Sequence, residues 1–87
     1  MIDMYKISAW NRETGDVSNF EVNVGKIEEY GVNGIVICDT DLKRVAGVIM
    51  MIKRIVDIEF SLIYNSCFGE FVECHITTFD GNIDINK

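Results

Sequence analysis

Between Thr40 and Asp57 the chain reads TDLKRVAGVIMMIKRIVD, and its apolar residues return at helical rather than strand spacing. At about 100° per residue, Lys43, Gly47, Met50, Arg54 and Asp57 share one stripe. Leu42, Val45, Ala46, Val48, Ile49, Ile52, Ile55 and Val56 spread over an arc of roughly 200°. A surface helix needs an apolar stripe only a little wider than about 100°, so the pattern predicts a long helix over 40–57, gripped on more than one side. Thr40 or Asp41 is placed to cap its start. Asp39 and Asp41 suit the positive end of its dipole, and Lys53 and Arg54 the other. The apolar run Val45–Ile52 is far short of the ~20 residues that a membrane span requires.

Elsewhere the period is two. Ile2–Asn11 is rich in strand formers, and Val17–Val24 alternates with Phe20, Val22 and Val24 on one face. The intervening Arg12–Asp16 offers Gly15 for a left-handed position, so the two runs are expected to pair as an antiparallel hairpin. Gly25–Gly31 reads as a single helical turn or tight connection, with a hairpin turn at Asn33–Gly34 as the alternative. Gly34–Cys38 is apolar without alternation, as in a strand covered on both faces or nearly so. Ile58–Tyr64 puts Ile58, Phe60, Leu62 and Tyr64 on one face. Glu70–Phe79 returns with Val72, Cys74 and Ile76 inward. Ile83–Ile85 reads as a short edge strand or a frayed end. The expected fold is a single α+β domain over residues 1–87, a mostly antiparallel sheet of about five strands (β-β-β-α-β-β) packed on one long helix.

Composition changes the picture at three points. Eight basic residues against 14 acidic ones give a net charge of -6, which leaves no excess cation to displace counterions from nucleic acid or anionic lipid. Cys38, Cys67 and Cys74 are odd in number and lie in or beside apolar runs, as reduced thiols would. No basic, then apolar, leader opens the sequence, so a cytoplasmic protein is expected. The abundance of Ile over Leu, with no Pro or Gln, fits an AT-rich coding sequence such as that of a low-GC bacterium or its phages.

Candidate chemistry is sparse. Cys74 and His75 pair thiol with imidazole, but strand neighbours point to opposite faces and the chain has one His. Cys67, Cys74 and His75 lack the spacing of a zinc site, and neither Asp39/Asp41 nor Asp80/Asp84 continues into a calcium loop. Lys43, Arg44, Lys53 and Arg54 are expected to pair with acidic loops and to cover apolar surface with their stems. The chain is therefore read as not an enzyme, with no cofactor and no metal.

What remains is a surface. With Val72, Cys74 and Ile76 inward, the second sheet face shows Phe71, Glu73, His75, Thr77 and Phe79, with Glu59 and Ile63 beside them. Trp10 from the first strand is expected to join that face. Exposed rings on a sheet suit RNA bases, but the acidic neighbours and the missing basic-aromatic signature disfavour RNA. The expected function is a small acidic protein-interaction module, an inhibitor or adaptor that binds a basic, nucleic-acid-handling host protein. Small phage inhibitors of defence enzymes, anti-CRISPR proteins among them, offer an analogy of size and charge. Its expected partner-binding residues are Trp10, Glu59, Phe71, Glu73, His75 and Phe79. The alternative is a structural or regulatory subunit of a homo-oligomer, formed through the 40–57 helix with Met50 or Met51 at the contact.

Overall fold

The computed structural model describes residues 2–11, 13–52, 55–65, 69–78 and 80–86, with the side chains of 65 and 80–82 left aside. In chain order the elements are β1 (Asp3–Asn11), β2 (Val17–Val24), β3 (Lys26–Tyr30), β4 (Gly34–Asp39), α1 (Leu42–Met51), β5 (Ile55–Asn65), β6 (Gly69–Thr78) and β7 (Asp80–Asn86). The expected sheet of about five strands is instead seven strands in two antiparallel sheets, β2-β1-β7 and β3-β4-β6-β5. The α+β composition holds, and both predicted hairpins form. Trp10 pairs with Val17 in the first, and Glu59 pairs with His75 in the second.

The two sheets face each other. Ile7, Val22, Val24 and Ile83 from one meet Ile27, Ile35, Ile37, Cys74 and Ile76 from the other, all buried in one apolar cluster. Cross-strand partners share a face, so the inward face of the four-stranded sheet is carried by Ile27, Ile35, Ile37, Cys74 and Ile76 and their register partners. At the rim, β3 approaches β7, and the Ile85 amide donates to Glu29 Oε1 at 2.8 Å.

Helix α1 lies along β2 and over β4 and β6. It spans ten residues, so the long helix expected over 40–57 is corrected. Val45 and Val48 are buried, Ile49 is half-buried, and Ile52 closes the stripe at the cap. That is one ordinary face at i, i+3, i+4, i+7 spacing. The wide arc arose from counting Ile55 and Val56, which belong to β5, and Leu42, which is 57% exposed. The helix ends at Ile52, extended at φ -86° and ψ 127°, whose amide still donates to Ile49 O at 3.1 Å. The β-branched Ile55 is then taken up by pairing with Thr78.

Of the two readings of residues 25–34, the helical turn or tight connection gives way to the hairpin: Lys26–Tyr30 is a strand. Glu29 pairs with Ile35, and Tyr30 with Gly34, across a turn that Gly31 opens at φ 69°. At the other end of β3, a Cβ on Gly25 would stand 3.0 Å from the Cys38 carbonyl oxygen. That close approach lets the chain leave one sheet for the other between β2 and β3. Residues 83–85 belong to β7.

Asp41 caps α1, its carboxylate accepting from the Lys43 amide at 2.9 Å. Asp39, 6% exposed, does more. Its Oδ2 accepts from the Gly25 amide and from Arg44 Nε, each at 2.8 Å. Its Oδ1 accepts from the Asp41 amide at 3.0 Å and from Arg44 Nη2 at 2.8 Å. Burial alone would raise the carboxyl pKa, but Arg44 and the two amides outweigh it and hold the group at about 2 rather than 3.8. One carboxylate thus joins the start of β3, the end of β4 and the first turn of α1.

Candidate interaction surface

The outer face of the four-stranded sheet is built in rows that the register dictates. Glu28, Val36, His75 and Glu59 form one row across β3, β4, β6 and β5. Lys26, Cys38, Glu73 and Ser61 form the next, and Tyr30, Gly34, Thr77 and Asp57 the one on the other side. Phe71 beside Ile63 extends the face along the β5–β6 hairpin. Gly34 leaves a gap in its row. Across it the Tyr30 ring meets His75 edge-on, with centroids 5.8 Å apart and planes at 75°.

Charge on this face is one-sided. Glu28, Asp57, Glu59 and Glu73 stand against Lys26 among the described residues. Lys26 Nζ lies 3.0 Å from Glu28 Oε1, and that hydrogen bond raises the ammonium pKa. Both groups are well exposed, so the pair adds little stability. His75 Nε2 is 3.3 Å from Glu73 Oε1. Cys38 is half-buried here, and burial, then the Glu73 carboxylate, pushes its thiol pKa up. Cys74 lies in the core and His75 outside, so the two do not meet.

Glu59, Phe71, Glu73 and His75 thus share one face, as the sequence suggested. Trp10 does not join them. It sits in β1 of the other sheet, on the face turned away from the core, 41% exposed, with its indole N–H donating to Gly15 O at 3.0 Å. Phe79, Cys67, Lys53 and Arg54 lie outside the described residues. Met50 is 85% exposed on α1 and Met51 is also exposed.

A second feature escaped the sequence reading. Phe60, Leu62 and Tyr64 have the inward orientation expected of them, yet they are 55%, 69% and 78% exposed. The β5–β6 hairpin runs past the end of the core, and Leu42, Phe60, Leu62 and Val72 line a shallow, almost wholly apolar groove there. The alternation in Ile58–Tyr64 gave the shared face but not what would cover it. A separate cleft of about 320 Å³ opens between the sheets, lined by Ile7, Phe20, Ile35, Met51 and Thr78 among others.

No protein-family model, curated protein or solved structure matches the chain. Among the described residues, no helix is long and apolar enough to cross a membrane, and no group of three or more His, Cys, Asp or Glu is placed to hold a metal ion.

Proposed function

We propose that this chain is an acidic protein-interaction module that binds and blocks a basic protein through the outer face of its four-stranded sheet. The observation that carries the reading is the charge pattern of β5 and β6. On the outer face β5 and β6 carry Asp57, Glu59 and Glu73, and from Ile55 to Thr78 the chain has no Lys or Arg. Carboxylates around Tyr30, Phe71 and His75 present a potential that steers a cationic surface inward, with rings to anchor it once water is expelled. Proteins that handle nucleic acid carry that complementary potential, which suits an inhibitor or adaptor of the kind phages direct at host defence enzymes. A homo-oligomeric subunit is a second reading, supported by the exposure of Met50 and Met51 on α1. The test uses partner capture from the native host, with Glu59→Lys and Glu73→Lys to slow association and flatten its salt dependence, and Phe71→Ala to speed dissociation. Capture unchanged in all three variants, or capture of nucleic acid in place of protein, refutes the reading.

A further inference from the structure

Strand β5 is the outermost strand of its sheet, eleven residues long, and among the described residues nothing pairs with its free edge. Natural sheets protect such an edge with charged side chains, Pro, bulges, short length or a covering loop. Here the charges, Asp57 and Glu59, and the irregularity between Ile55 and Asp57 lie in the first half of the strand, and Phe60–Asn65 has no charge in a chain without Pro. The two sides of that edge differ in chemistry. Phe60, Leu62 and Tyr64 stand exposed on one side, beside the groove at Leu42 and Val72. Asp57 and Glu59 stand exposed on the other, with Glu73 behind them on β6. An added strand places its successive side chains on alternate faces, so the segment that fits this edge alternates too. Its apolar residues lie along Phe60, Leu62 and Tyr64, and its basic residues lie beside Asp57 and Glu59.

We infer that the free edge of β5 docks an extended segment of alternating apolar and basic residues, which joins the four-stranded sheet as a fifth, antiparallel or parallel strand. The inference rests on the proposed reading of the chain as a binder of basic proteins, and it names the part of the partner that is held. Main-chain hydrogen bonds supply sequence-tolerant affinity, and the two faces supply the choice of sequence. A second copy of this chain fits less well, because its β5 brings Asp57 and Glu59 again and no cation to pair with them.

The probe is a fluorescein-labelled peptide of alternating lysine and valine, about eight residues long, titrated by anisotropy and followed by hydrogen exchange. The expected result is saturable binding that protects amides of residues 58–64. A peptide of the same composition with its lysines and valines in two blocks binds about tenfold more weakly or worse, and so does the alternating peptide N-methylated at every second amide. Leu62→Ala weakens binding of the alternating peptide, while Glu21→Lys, on β2 of the other sheet, does not. Equal affinity for all three peptides, or no protection in β5, overturns the inference. Protection of β5 in concentrated protein alone, with a dimer by light scattering, also overturns it and makes a second copy the occupant. Host-partner capture that Glu28→Lys abolishes, together with no binding of the alternating peptide to wild-type protein, overturns the edge inference alone and leaves the sheet-face reading standing.

Discussion

Asp39, at the end of β4, ties the first turn of α1 to the chain entering β3, and its replacement by Asn is the sharpest test of how the domain is held. The exchange keeps the shape but removes the charge and turns one acceptor oxygen into a donor. Each oxygen now accepts from one backbone amide and one Arg44 nitrogen, so the new NH2 group faces two donors whichever way the amide turns. Holding the carboxyl at about 2 instead of 3.8 corresponds to about 2 kcal/mol of stabilisation when the group is ionised. A donor left without a partner adds about 1 kcal/mol or more. The sum, about 3 kcal/mol, takes the low end of the range for breaking a buried pair, because Arg44 is 31% exposed and regains water. For a domain of this size it lowers Tm by roughly 12–20 °C. The folded-state pKa is depressed, so the stabilisation is complete above the unfolded value of 3.8 and fades as pH falls towards 2. Urea titrations of both proteins between neutral and acid pH should therefore show curves that converge by about 2 kcal/mol below pH 4. A gap under about 0.5 kcal/mol at neutral pH, or one that stays constant into acid, refutes the account of Asp39 as an ionised clamp.

The remaining expectations are simpler. Ile37 is fully buried at the centre of the core, so Ile37→Ala should lower the urea-derived stability by about 2–5 kcal/mol; a loss below about 1 kcal/mol contradicts the packing described. Cys74, buried with its pKa raised by burial, should react with a thiol reagent only at the rate of global unfolding, while the half-buried Cys38 reacts faster as pH rises; equal rates for the two refute this. If Met50 forms a contact between copies, wild-type protein at high concentration scatters above the monomer mass and Met50→Glu returns it to the monomer; a wild-type monomer under those conditions ends the homo-oligomer reading.

Much of the local structure was legible because it depends on neighbours in sequence. Alternation in Val17–Val24 and in Val72, Cys74 and Ile76 identified the inward residues, and the unbroken GIVIC run marked β4 as a strand covered on both faces or nearly so, which holds for buried Ile35 and Ile37 on the inner face and only in part for half-buried Val36 and Cys38 on the outer one. The turn at Gly15 follows from its left-handed φ of 77°. The same logic brought Glu59, Phe71, Glu73 and His75 to one face.

What it could not supply were the non-local choices. Ile49, Ile52 and Ile55 satisfy a helical period, and only the pairing of Ile55 with Thr78 makes β5 begin where the helix was expected to continue. No local signal told that the strands on either side of Gly25 enter different sheets; that depends on the close approach of Gly25 to Cys38 and on the reach of Asp39. Trp10 was assigned to the wrong surface for the same reason, since a strand's pattern fixes which of its residues share a face but not which sheet it joins. Phe60, Leu62 and Tyr64 carry the clearest lesson. Their alternation determined that they point together, and the length of the hairpin relative to the core left them uncovered. Periodicity is a property of one segment, whereas burial depends on what another segment places above it.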